Sequence, residues 1–143
     1  MTTAGLDVFD STVQQTNEWL NEIAEELHTD NRREAYLALR GTLHALRDNL
    51  VVEEATDLAA QLPMLVRGIY YEGWNPSKTP VRDRDRDAFL ERVGAALDRA
   101  QPQGIYPEPA ARAVFKVLSN HVSGGEIDQI RNVLHKDIRE LLS

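Results

Sequence analysis

The sequence predicts an all-α fold, two similar three-to-four-helix lobes from an internal duplication, packed as one compact helical domain. Three observations predict it. Apolar residues recur at spacings of three and four along most of the chain, the period of a helix with one buried stripe. No segment shows the period-two alternation of a half-buried strand. The pattern of the first half also returns in the second. Adding 72 carries Ala38, Arg40, Leu46, Glu54, Leu62 and Arg67 onto Ala110, Arg112, Leu118, Glu126, Leu134 and Arg139. Leu43, Leu50, Leu58, Val66 and Ile69 fall on Phe115, Val122, Ile130, Ile138 and Leu141. A fixed internal period is the mark of a repeat. Upstream, residues 18–27 resemble 88–97 at an offset of 70, and the two-residue difference falls in the linker at 101–108, where insertion is cheapest. The first lobe is expected over residues 1–74, a linker over 75–87 and the second lobe over 88–143.

The elements follow in order. Leu6, Phe9, Val13, Thr16, Leu20, Ile23 and Leu27 are spaced 3, 4, 3, 4, 3, 4, which predicts one amphipathic helix with that stripe in the core. Glu18, Glu22, Glu25 and Glu26 take its outer side. The pattern breaks at His28-Thr29-Asp30-Asn31, and Asp30 or Asn31 is placed to cap a second helix with the stripe Tyr36, Leu39, Leu43, Leu46 and Leu50. Glu53 and Glu54 fall in the first turn of a third, where the helix dipole favours carboxylates. Pro63, which lacks an N–H, is read as the first turn of a fourth. Residues 74–80 hold two prolines after Gly73 and form a loop. The alternating RDRDRD at 82–87 has no apolar face and leads into a helix with Phe89, Val93, Leu97 and Ala100 on one stripe. Residues 101–109, with three prolines, make a second linker. A helix follows over 110–122, then Ser123-Gly124-Gly125-Glu126 with the spacing of a capping box. The last run, 126–142, is amphipathic and lacks a proline where the first half has Pro63.

Composition bounds the function. The 143 residues suit one domain, or two small lobes sharing an interface. With no cysteine, disulfides, thiolate metal sites and cysteine nucleophiles are excluded. No stretch approaches the ~18 apolar residues of a membrane-spanning helix, and the first residues do not read as a secretory signal, so a cytoplasmic location is expected. Net charge is −7 and uneven: residues 1–72 hold 5 Lys/Arg and 13 Asp/Glu, a net of −8, against +1 for the rest. The first half should repel nucleic acid and anionic lipid, and favours a basic partner or the more neutral second half.

The string LAAQLPMLVRGIYYEGWNPSKTP, followed by charged residues and Phe89-Leu90-Glu91-Arg92-Val93, resembles the bacterial family known as domain of unknown function 2267. The later GEIDQIRNVLHKDIREL is similar to that family's second region, where Leu-Pro is expected and this chain has Leu134-His135. The resemblance covers nearly the whole chain. It implies a small helical bacterial protein and supplies no catalytic residues.

The chemistry must therefore be judged from the residues. Glu25-x-x-His28 has the ligand spacing of di-iron bundles, but Glu25 falls opposite the apolar stripe and the motif occurs once. His28, His44, His121 and His135 show no zinc spacing, although His121 and His135 could meet across a helix pair. No serine has a nucleophile-elbow context, and Gly124-Gly125 reads as a turn rather than a phosphate loop. No cofactor or metal is expected. The second lobe has a helix–turn–helix outline with Arg131, Lys136 and Arg139 on its later part, interleaved with acids. Arg67, Tyr70, Tyr71 and Trp74 form an aromatic stripe with a guanidinium at its head, either a seam between lobes or a partner site. Trp74 is expected to be largely buried, with its Nε1–H bonded to a carbonyl or water. The function expected is a non-enzymatic protein-interaction or adaptor module with a protein partner. The alternative is a nucleic-acid-associated regulator using the second lobe. Self-association into a homo-oligomer stays open.

Overall fold

A computed structural model describes residues 5–97 and 104–142. Among the described residues there are eight α-helices and no strand: α1 Asp7–Leu27, α2 Arg32–Asp48, α3 Val52–Ala59, α4 Met64–Tyr71, α5 Arg86–Ala96, α6 Pro107–His121, α7 Gly124–Val133 and α8 Lys136–Arg139. Short 3₁₀ turns occur at Pro76–Lys78 and Glu140–Leu142. Ala100 of the expected α5 stripe and positions 101–103 of the expected linker lie outside the described residues.

The core sits around α2 and α6. Both carry small residues on their inner faces, Ala35, Ala38 and Ala45 on one and Ala110, Ala111 and Ala113 on the other. Small side chains allow close approach, and α2 packs on α1, α4, α5 and α6. At Gly41 the approach to α5 is closest: an added Cβ would lie 2.7 Å from the Ala96 Cβ and 3.1 Å from the Val93 carbonyl oxygen. Phe89 of α5 stacks on Phe115 of α6 with ring centres 5.9 Å apart. One apolar cluster thus draws on both halves of the chain.

Several helix ends follow the expected chemistry. Asn31 caps α2, accepting from the Arg33 and Glu34 amides, and Asp85 caps α5 through the Ala88 amide. Ser123 caps α7 through the Glu126 amide at 3.2 Å. The return bond of a capping box is absent, because the Ser123 N–H donates to Gln61 Oε1 at 2.8 Å instead. The chain also breaks between α3 and α4, but Pro63 stands just outside α4 as its N-cap, with φ −57° and ψ 152°, rather than in its first turn. The last run breaks as well, at Leu134–His135, without a proline. His135 replaces it as N-cap, its Nδ1 accepting from the Asp137 amide at 3.2 Å.

The expected stripe of α1 is corrected. Its buried residues are Thr12, Thr16, Trp19 and Ile23, and Leu20 and Leu27 are half-buried. Leu6, Phe9 and Val13 face solvent. The reason lies in two contacts. The Leu65 N–H donates to Thr12 Oγ1 at 2.8 Å, and His121 stacks on Trp19 with ring centres 4.8 Å apart. These turn the helix so that its threonines and tryptophan point inward.

Candidate functional site

The stripe singled out in the sequence is largely internal. Tyr70 is fully buried, and its hydroxyl donates to the Ala55 carbonyl at 2.8 Å, which ties α4 to α3. Burial pushes its phenol pKa up, helped by neighbouring charges, so it stays neutral. Tyr71 packs edge-on against Tyr70 and stacks on Trp74, with ring centres 5.3 Å apart in each pair. Tyr71 and Trp74 are half-buried against the core. Trp74 Nε1 is buried and has no hydrogen-bond partner among the described residues, so the expected bond is not to a carbonyl there. Arg67 does not head the stripe. It turns back to α3, Nε donating to the Ala59 carbonyl at 3.0 Å and Nη2 to the Leu62 carbonyl at 2.9 Å. It therefore closes the helix break at Pro63.

Three side chains of α2, one of which, Arg47, sequence reasoning passed over, hold the other end of α4. Arg47, 4% exposed, donates from Nη1 to the Tyr70 carbonyl at 2.8 Å and the Glu72 carbonyl at 2.9 Å, while Asp48 pairs with its Nε at 2.8 Å. His44 Nε2 donates to the Ile69 carbonyl at 2.7 Å. Arg40 pairs with the Glu72 carboxylate at 2.8 Å. A helix C-terminus leaves carbonyls without partners, and cations nearby also offset its dipole. Burial lowers the His44 pKa; the charges of Arg47 and Arg40 add to this, against the raising effect of the Ile69 bond, so the imidazole is neutral near neutral pH.

The remaining histidines are separate. His28 leaves α1 in the left-handed region, φ 55° and ψ 44°, so it is out of helical register with Glu25. His121 lies 2.7 Å from Glu22 Oε2 and His135 caps α8, so the two do not meet. Among the described residues no group of three or more His, Asp or Glu is arranged to hold a metal. In the helix–turn–helix outline, α8 has four residues, Arg131 Nη2 donates to the Leu142 carbonyl, and Arg139 Nη2 to the Leu134 carbonyl.

What the structure does leave uncovered is an apolar face at the start of α1. Phe9 is 55% exposed, and Leu6 and Val13 on the same side of the helix are exposed with it. The Leu65–Thr12 bond sets the first turn of α4 against this part of α1, and Met64 and Leu65 are exposed there too. Scattered exposed apolar side chains are ordinary, but exposed apolar groups on two adjoining elements offer the makings of a docking surface. The surroundings are acidic. No Lys or Arg precedes Arg32, while α1 carries Asp7, Asp10, Glu18, Glu22, Glu25 and Glu26.

A family model described as an uncharacterized conserved protein, DUF2267, matches residues 16–141. The chain belongs to this family. The match contains both helix breaks, at Pro63 and His135, and the whole α2 clamp on α4. It starts at Thr16, so Leu6, Phe9 and Val13 stand before it. No curated protein matches the chain.

Proposed function

We propose that this DUF2267 protein is a non-enzymatic, cytoplasmic interaction module that docks an amphipathic helix with basic flanks on the α1–α4 face. The observation that carries this reading is the exposed group Leu6, Phe9, Val13 and Leu65 beside a helix bearing only acidic charges. An apolar face supplies affinity, since burying each such side chain contributes roughly 1.5–3 kcal/mol before association costs. The acidic surround selects the sign of the partner and speeds encounter. A second copy of the chain fits less well, because it would set one acidic α1 near another. The non-enzymatic part draws support from three of the histidines, whose rings are engaged: His44 with the Ile69 carbonyl, His121 with the Glu22 carboxylate and His135 with the Asp137 amide. The same reading includes an internal duplication: at an offset of 72, Pro63 and His135 are both N-caps, and Arg67 and Arg139 both donate to the carbonyl before the break. A nucleic-acid role has less support, since α8 is one turn long and its arginine is spent on a carbonyl.

Titration with two labelled peptides tests the reading. Both carry leucines at i, i+3, i+4 and i+7; one has lysine flanks and the other glutamate. The lysine peptide is expected to bind, more weakly as salt rises, and Phe9→Asp or Val13→Asp should weaken it about tenfold or more without changing the fold. Equal binding by the variants, or by the glutamate peptide, would refute it.

A further inference from the structure

A separate cleft, between α2 and α5, has the opposite electrostatic character. Its cavity is about 330 Å³. The floor is made of Gly41, Ala45, Ala95 and Ala96, all too small to fill it. Its charged lining is Arg40, Arg47 and Arg92, with Asp48 the one acid among the lining residues. Arg47 is paired with Asp48 and Arg40 with the Glu72 carboxylate, so Arg92 carries the uncompensated positive charge of the cleft.

The donors differ in what they have left to give. Arg47 is spent on Asp48 and on the carbonyls of Tyr70 and Glu72. Its acid, Asp48, is in turn occupied by it. Arg40 uses its Nε edge for Glu72 and makes no bond from either Nη among the described residues. Arg92 is exposed and has no partner among the described residues. Two planar groups with unused N–H edges thus border a floor of glycine and alanine.

We propose that this cleft binds a phosphate group, free or as the monoester of a small molecule, between Arg40 and Arg92. A guanidinium offers paired N–H groups matched to phosphate oxygens; Arg92 supplies an unpaired charge, and Arg40 supplies the Nη groups that its pair with Glu72 leaves unused. The floor without side-chain bulk lets the ester substituent lie against α5. Arg47 fixes the α2 end of the cleft without itself being released.

The test is a ¹H–¹⁵N NMR titration of the full chain at constant ionic strength, with inorganic phosphate, glycerol phosphate, acetate and chloride as separate arms. The proposal expects saturable shifts at the Gly41, Ala45, Ala95 and Ala96 amides with both phosphates, weaker ones with acetate and none with chloride. A tighter response to glycerol phosphate identifies the monoester as the ligand, and an equal response identifies the free anion. Arg92→Ala, at an exposed position, should keep the melting temperature and weaken phosphate about tenfold, with Arg92→Lys between. Shifts that do not saturate, that chloride reproduces, or that survive in Arg92→Ala would overturn it. Acetate binding as tightly as phosphate would overturn the phosphate assignment.

Discussion

Replacing Arg47 by methionine isolates what the clamp on α4 contributes. Methionine keeps most of the apolar stem, so the packing of a side chain that is 4% exposed is nearly preserved. The donors vanish. The Tyr70 carbonyl, buried and 2.8 Å from Nη1, loses its partner, and so does the part-buried Glu72 carbonyl at 2.9 Å. Each orphaned group costs about 1–3 kcal/mol, the Glu72 carbonyl at the lower end because water can reach it. Asp48 keeps a quarter of its side chain in solvent, so losing its ion pair adds less than about 1 kcal/mol. The expected loss is about 2–5 kcal/mol, a large part of the ~5–15 kcal/mol of an ordinary domain. At this chain length each kcal/mol shifts the midpoint by about 3–4 °C, so melting should fall on the order of 10 °C. Circular dichroism measures that. Native-state hydrogen exchange should show the Glu72 and Trp74 amides, which close the end of α4, losing protection before those of α2. Removing a buried charge is stabilising in some proteins, where both partners become apolar. Here the carbonyls remain, so a variant melting at or above the wild-type temperature would refute the argument.

Other outcomes follow from the same geometry. Phe9→Ser should leave stability within about 0.5 kcal/mol of wild type, whereas Trp19→Ala should cost about 3–5 kcal/mol; denaturant melts of the pair check which stripe of α1 is buried. Pro63→Ala should change stability by less than about 1 kcal/mol and keep the helix break, because Arg67 holds it; Arg67→Ala should cost more, read by thermal melts. Glu126 is buried with Oε2 unpartnered, and burial, then the charges of Asp57 and Glu54, raise its pKa. A carboxyl whose folded pKa is raised contributes stability that is present below the unfolded value and lost as pH rises through the folded one. Glu126→Gln should therefore melt higher than wild type at about pH 8, with the difference closing toward about pH 4.

Much of the architecture was legible because it is local. Helical periodicity, the Asn31 cap and the break at Leu62–Pro63 are written in adjacent residues. The face of α1 was not, because two stripes fit its sequence. The expected one runs through Leu6, Phe9, Val13, Thr16, Leu20, Ile23 and Leu27; the buried one shares Thr16 and Ile23 with it but is centred about 60° away, toward Thr12 and Trp19, at 100° per residue. Threonine reads as polar, so the first stripe looks better; the second is selected by Leu65 and His121, far along the chain. Non-local pairing also hid the clamp, since nothing near Arg47 announces carbonyls some two dozen residues away. Likewise Gln61 takes the Ser123 amide across 62 positions, leaving Glu126 without its capping role. The aromatic stripe was found as a pattern, but its role as mostly internal packing depends on Arg67 turning toward α3. The exposed apolar face of α1 needed the structure, being the part of an amphipathic helix that the fold does not use.

The central claim is that Phe9 and Val13 meet a partner rather than the core. Placing a photocrosslinking residue at 9, at 13 and, as a control, at exposed Arg33, then irradiating intact cells, tests it most directly. Discrete adducts are predicted from 9 and 13, mapping by mass spectrometry to a lysine- or arginine-flanked amphipathic helix, with none from 33. Adducts within the protein's own core, or the same products from all three positions, would contradict it.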